Sequence, residues 1–132
     1  MTPLMCLAAA VFFESRSEPL EGQRAVAEVV MTRVESPRWP DEICAVVFQH
    51  KQFSFTHDGK SDKIESYTLN NPIEWRAAVT ARAVALHVYD GWDTIMPSTH
   101  YHSLSVKPSW RKHYTYDGRI GDHVFYTAPN GK

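Results

Sequence analysis

A chain of 132 residues with 43% hydrophobic and 22% charged side chains has the size and composition of one globular domain spanning residues 1–132. Fourteen Lys and Arg against fifteen Asp and Glu leave a net charge of -1, too weak a field to expect nucleic acid or stable membrane attachment. Cys6 and Cys44 each lie in an apolar run, so two reduced, structural thiols are expected and neither a disulfide framework nor a zinc knuckle.

The opening run from Pro3 to Phe13 is as long as a signal-peptide core. No Lys or Arg precedes it, however, and it continues without a break into Glu14, so it is read as a helix of the core in a chain soluble as translated. Thr2 can cap this helix, Pro3 suits its first position, and Leu4 to Phe13 is apolar on every side, the pattern of a helix buried all round. Glu14 then falls where the helix ends. A polar turn, Ser15 to Glu18, leads through Pro19 into a second helix with the stripe Val26, Val29, Val30 and Val34 and with Ala25 and Ala27 for close packing. Ser36, Pro37 and Pro40 break it, and a short third helix burying Ile43, Val46 and Val47 follows.

From His50 to Leu69 no helical period exists, and a loop or small ribbon holding Phe53 and Phe55 is expected. Asn71, Pro72 and Glu74 supply a cap, a first-turn proline and a first-turn acid, so a helix should run to about Tyr89, where Asp90-Gly91 stops it. Its predicted inner face is Ile73, Ala77, Ala81, Val84, Ala85 and Val88. Thereafter Thr99, Tyr101 and Ser103 alternate with His100 and His102, and Asp122 to Thr127 forms a second strand, with Pro108, Trp110 and a turn at Asp117-Gly118 between them. The fold class is therefore α+β, mainly helical, with a small antiparallel sheet. Trp39, Trp75, Trp92 and Trp110 are expected to fill the core by default, although an aromatic face can also stack on a sugar ring.

The chemistry centres on the carboxyl group of Glu14, set by an apolar helix at its junction with a polar turn. Taking a carboxyl group out of water disfavours its charged form, which lets it hold a proton at neutral pH and deliver it to a leaving oxygen. Glycosidic bonds need that help because the departing sugar oxygen is a poor leaving group unless protonated. A solvent-exposed Glu at a helix end is the plainer reading of the position alone.

The surrounding sequence shifts the balance. Phe12-Phe13-Glu14-Ser15-Arg16-Ser17-Glu18-Pro19-Leu20-Glu21-Gly22-Gln23, then Ala25-Val26-Ala27-Glu28-Val29-Val30 and Arg33-Val34, resembles the signature of the cell wall hydrolase family of the spore cortex-lytic enzymes. Phe48-Gln49 with Gln52-Phe53-Ser54, Thr99-His100-Tyr101-His102, Pro108-Ser109-Trp110 and Ile120-Gly121-Asp122-His123-Val124-Phe125-Tyr126 resemble its later motifs, in order and over nearly the whole chain. The first motif usually runs Glu-Ala-Arg-Gly-Glu; Ser15 and Ser17 replace its small residues here, and Thr32 replaces the usual Asn before Arg33.

The resemblance implies a single lysozyme-like, lytic-transglycosylase-like catalytic domain that cuts the MurNAc-GlcNAc backbone of peptidoglycan, with Glu14 as general acid and base and no cofactor. Glu18 is a candidate assistant, and Glu21 favours the second helix's dipole. Gln52, Phe53, Tyr101, Trp110 and His123 are candidates to bind the glycan, against the alternative that they support the sheet. Two rival readings remain open: a zinc-dependent amidase using His100 and His102 with His123 or an acid, and a glycan-binding module without catalysis. The single module and the absence of an export signal suggest a monomeric phage endolysin, made in the host cytoplasm and acting on the thin wall of a Gram-negative host after release.

Overall fold

A computed structural model describes residues 1–49, 63–91 and 94–129. The first helix, α1, spans Pro3–Ser15; the Thr2 hydroxyl accepts from the Met5 amide at 3.1 Å and Pro3 occupies the first turn. Every side chain from Cys6 to Phe12 is at most 3% exposed. An all-apolar helix can meet this only at the centre of the molecule, and α1 is enclosed by α2 (Leu20–Glu35), α3 (Ile43–Val47) and α5 (Pro72–Tyr89). In α2 the predicted stripe is buried at Val26, Val29 and Val30, with Val34 at its edge. Helix α3 buries Ile43, Val46 and Val47 as expected, starting three residues after Pro40.

Cys6 and Cys44 are joined in a disulfide, which corrects the expectation of free thiols. Each cysteine does sit among apolar neighbours, but α1 and α3 pack so that the two Cα atoms come within 5.2 Å. A cross-link over a loop of this size restricts the unfolded chain by about 3 to 4 kcal/mol.

Helix α5 begins with the Asn71 side chain accepting from the Glu74 amide at 3.1 Å and stops at Asp90, followed by Gly91 in the left-handed region. Its buried line is Ala78, Ala81, Ala85 and Val88, with Ala77 and Val84 partly covered. Ile73, placed on the inner face by periodicity, is 76% exposed. The small residues decide the matter, because an alanine row lets α5 approach α1 closely and turns Ile73 outward. One further helix, α4 (Glu65–Thr68), lies where a loop was expected; its Tyr67 ring meets Phe12 and Phe13 edge-on at 6.1 and 5.1 Å.

The sheet has three antiparallel strands rather than two: β1 (His100–Ser103), β2 (Thr115–Ile120) and β3 (His123–Thr127), in the order β1-β3-β2. Asp117-Gly118, read as a turn, lies inside β2 at an irregularity in its pairing with β3. The reversal occurs instead at Gly121-Asp122, where Gly121 has φ 57°. One sheet face rests on α2 through Phe125, Ile120 and Tyr101. The buried residues Glu28 and Arg33 of α2 fasten the segment leading into β1. The Glu28 carboxylate accepts from the Ile95 and Met96 amides, and the Arg33 Nε donates to the Thr99 carbonyl at 2.8 Å.

Candidate active site

Glu14 stands in the last turn of α1, half-buried. Around it the chain is held from three sides. Ser15 turns its hydroxyl back to the Val11 carbonyl at 2.8 Å. The Arg16 Nε donates to both oxygens of Glu74 at 3.1 Å while its guanidinium lies 4.6 Å from the Phe12 ring centre, tying the end of α1 to the start of α5. From the sheet, Tyr101 reaches across 87 positions of sequence and donates its hydroxyl to Glu14 Oε1 at 2.6 Å. Burial, and then the charge of Glu14 and the bond to it, hold the Tyr101 phenol well above the ordinary tyrosine value, so it stays a donor.

Alternation along β1 explains the placement. Tyr101 pairs with Phe125 and Ser103 with His123, so these four share the face turned toward α2 and Glu14. The Tyr101 and His123 ring centres are 5.0 Å apart. His123 is 8% exposed, and burial pushes it below the usual histidine value against the opposing pull of Glu18, Glu14 and Asp122. Its Nδ1 has no hydrogen-bond partner among the described residues. Glu14, Tyr101, Glu18 and His123 therefore meet in one corner.

Glu18 has a defined task there. Its Oε1 accepts from the Asp122 amide at 2.8 Å, and a side chain at Gly121 would collide with it, so Glu18 clasps the β2–β3 turn. The carboxylate is thus engaged with backbone. Glu21 is exposed in the first turn of α2, where its charge favours the helix dipole, but it makes no capping hydrogen bond; the N-cap position is Pro19.

Trp110 lies apart from this corner. It sits in a 3-10 turn, Ser109–Lys112, against the opposite sheet face, where His100, His102, Val124 and Tyr126 point. Its ring centre is 5.1 Å from His100, 5.0 Å from Tyr114 and 5.2 Å from Tyr126. His100 and His102 share a face as predicted, but His123 is on the other one and cannot join them. Thr99 Oγ1 is within 2.9 Å of His100 Nδ1, and both ring nitrogens of His102 are engaged, by the Ser103 carbonyl and the Tyr126 hydroxyl. Among the described residues no three His, Cys, Asp or Glu side chains converge as metal ligands. Gln52 and Phe53 lie outside the described residues, as do Phe55 and Trp92.

A sequence model described as Cell Wall Hydrolase matches residues 17–126, beginning just after Glu14. The chain belongs to that family. Its relatives include the spore cortex-lytic enzyme of Bacillus subtilis strain 168, 32% identical over 90% of this chain and 35% of that protein. Another is the spore cortex-lytic enzyme of Bacillus cereus, 31% identical over 92% of this chain and 43% of that one. The chain thus spans less than half the length of these relatives. Among solved structures it resembles the catalytic domain of the germination-specific lytic transglycosylase SleB from Bacillus anthracis. That likeness has a TM-score of 0.74 and 29% identity, covering 95% of this chain and 93% of that one. The B. cereus SleB catalytic domain matches with the same TM-score at 27% identity, over 95% and 89% of the two chains. The fold is therefore the α+β, lysozyme-like one expected from sequence.

The functional residues that sequence reasoning missed are the supporting ones. Arg33 is buried, its guanidinium 5.2 Å from the Trp39 ring centre, and burial lowers its pKa to about 10, which leaves it cationic at neutral pH. A charged residue inside an otherwise apolar helix stripe is the one signal that pointed to such anchors.

Proposed function

We propose that this chain cleaves the MurNAc-GlcNAc backbone of peptidoglycan as a lytic transglycosylase, with Glu14 as general acid and then general base. The observation that carries the reading is the Glu14 carboxyl group at the end of a buried helix, fixed by the 2.6 Å bond from Tyr101. Its support is the likeness to a catalytic domain titled as a lytic transglycosylase. Because Tyr101 donates to Oε1, the transferable proton belongs on Oε2. Glu14 passes that proton to the bridging oxygen as the C1–O bond breaks, and an oxocarbenium-like centre develops at C1. The 6-hydroxyl of the same muramic acid ring adds to C1 and gives its proton to the Glu14 carboxylate. The acid is regenerated, no water is consumed, and the product carries a 1,6-anhydro end. Glu18 being engaged with the Asp122 amide favours this one-acid route over one that needs a second carboxylate.

The test is Glu14→Gln, which keeps shape and removes the transferable proton. Turnover of purified peptidoglycan should fall by roughly 10²- to 10⁴-fold. Mass spectrometry of wild-type products should find anhydro-muramic ends; free peptides with intact glycans would instead indicate an amidase, and an unaffected variant would leave only a binding module.

The same reading includes action at the wall in an oxidising compartment, as a monomeric endolysin released from its host cell. The Cys6–Cys44 disulfide supports the compartment, because such bonds persist outside the reducing cytoplasm. Replacing both cysteines by serine should lower the unfolding free energy by about 3 to 4 kcal/mol. An unchanged denaturation midpoint would remove that support.

A further inference from the structure

The outward face of α5 is apolar to a degree its place on the surface does not require. Trp75 is 59% exposed, and Val79, Leu86 and Tyr89 are each 46% exposed. With the exposed Arg82 they recur at spacings of four, three, four and three, which puts all five within an arc of about 80° along roughly 21 Å of helix. Leu69 and Ile73, 78% and 76% exposed, are further exposed apolar side chains near the helix start, outside this arc. Isolated exposed apolar residues are ordinary; an aligned run of this kind marks a contact surface.

Charge decides between occupants. Arg82 lies within this arc and Arg76 beside it, about 60° further round the helix; both are exposed, and neither has a carboxylate partner among the described residues. The helix carries a single acid, Glu74, which is half-buried and held by Arg16. The carboxylates nearest in sequence, Glu65 and Asp90, fall beyond its ends. A second copy packed antiparallel about the middle of the stripe would set Arg82 against its own counterpart, which opposes self-association. The aromatic rings of Trp75 and Tyr89 bound the stripe at its two ends, and arginine stems can lie along apolar surface while their heads reach outward. Aromatic ends, an aliphatic middle and unpaired guanidinium groups match the interfacial layer of a bilayer that contains anionic lipid.

We propose that the α5 face is a reversible docking surface for an anionic lipid membrane, on which the enzyme rests while it works on the adjacent wall. The chain's net charge of -1 gives no reason for the whole molecule to approach such a membrane; the charge of one face does. None of the described helices is long and apolar enough to cross a bilayer, so the contact is superficial.

Sedimentation with phosphatidylcholine vesicles, with and without phosphatidylglycerol, tests this on the full chain. Wild-type protein should bind the mixed vesicles and bind pure phosphatidylcholine at least roughly tenfold more weakly. Trp75→Ser with Leu86→Ser should abolish binding while cleavage of soluble glycan fragments is unchanged. Arg76→Gln with Arg82→Gln, a fold-neutral surface change, should erase the preference for anionic lipid. Absence of vesicle binding, or binding that survives both pairs of substitutions, overturns the proposal. So does a wild-type dimer that Trp75→Ser with Leu86→Ser converts to monomer, which would assign the face to a second copy. Because the readout is lipid binding, failure here leaves the Glu14 chemistry standing, and loss of activity in Glu14→Gln leaves the docking result standing.

Discussion

The two faces of the small sheet are built from alternating residues of the same strands and do different work. On the inner face Tyr101 brings one hydroxyl to Glu14, and His123 lies beside it with a ring nitrogen unpartnered among the described residues. On the outer face the polar groups of His102 are satisfied within the chain, by Ser103 and Tyr126, and the rings of His100, Trp110, Tyr114 and Tyr126 pack on one another. One face keeps polar groups at a carboxylate; the other uses them up. The lesson is that proximity to histidines and tryptophans in sequence does not mark the chemistry here. The side of the strand does.

That contrast can be broken by substitution. After Glu14→Gln, the largest activity effect should come from Tyr101→Phe, which removes the bond to Oε1. A hydrogen bond to a charged group is worth about 1.5 to 3 kcal/mol, so kcat should fall at least roughly tenfold, with KM little changed. A variant with wild-type kcat would mean that Tyr101 does not orient the acid. On the outer face, Trp110→Ala should cost about 2 kcal/mol of stability through lost ring packing and leave kcat intact at temperatures where the protein is folded. If kcat falls with it, the two faces are not separable; if only KM rises, the outer face also binds glycan.

The smallest effect is on pH dependence. Burial, then the nearby Arg33 and Arg38 cations, push His100 down to about 4, and burial lowers His123 as well. Between about pH 6.5 and 4 the unfolded chain therefore binds protons that the folded chain does not, so stability is full above pH 6.5 and declines toward pH 4. His100 is partly exposed, and with that discount its share is about 1 to 2 kcal/mol. His100→Phe should flatten the slope of unfolding free energy over this interval; an unaltered slope would show that His100 does not titrate differently on folding.

Much of this molecule can be read locally. Thr2-Pro3 and Asn71-Pro72 cap and open the two helices that organise the core, and the apolar run to Phe13 sets Glu14 at a helix end. Such features depend on residues within a few positions of one another, so capping and periodicity reveal them. The inner face of α5 was legible only in part, because periodicity locates a stripe while the neighbour's shape decides which edge of it is covered. Ile73 was on the losing edge.

The remaining features join distant parts of the chain. Cys6 finds Cys44 only because α1 packs on α3. Glu18 is drawn to the Asp122 amide, 104 positions away, once the hairpin reverses at Gly121 rather than at Gly118. Residue types and helix ends were set by the sequence itself, including the acid at position 14. Which phenol meets that acid, and which aromatic rings turn away from it, was decided by strand register and packing, since those contacts exist only after the chain has closed on itself.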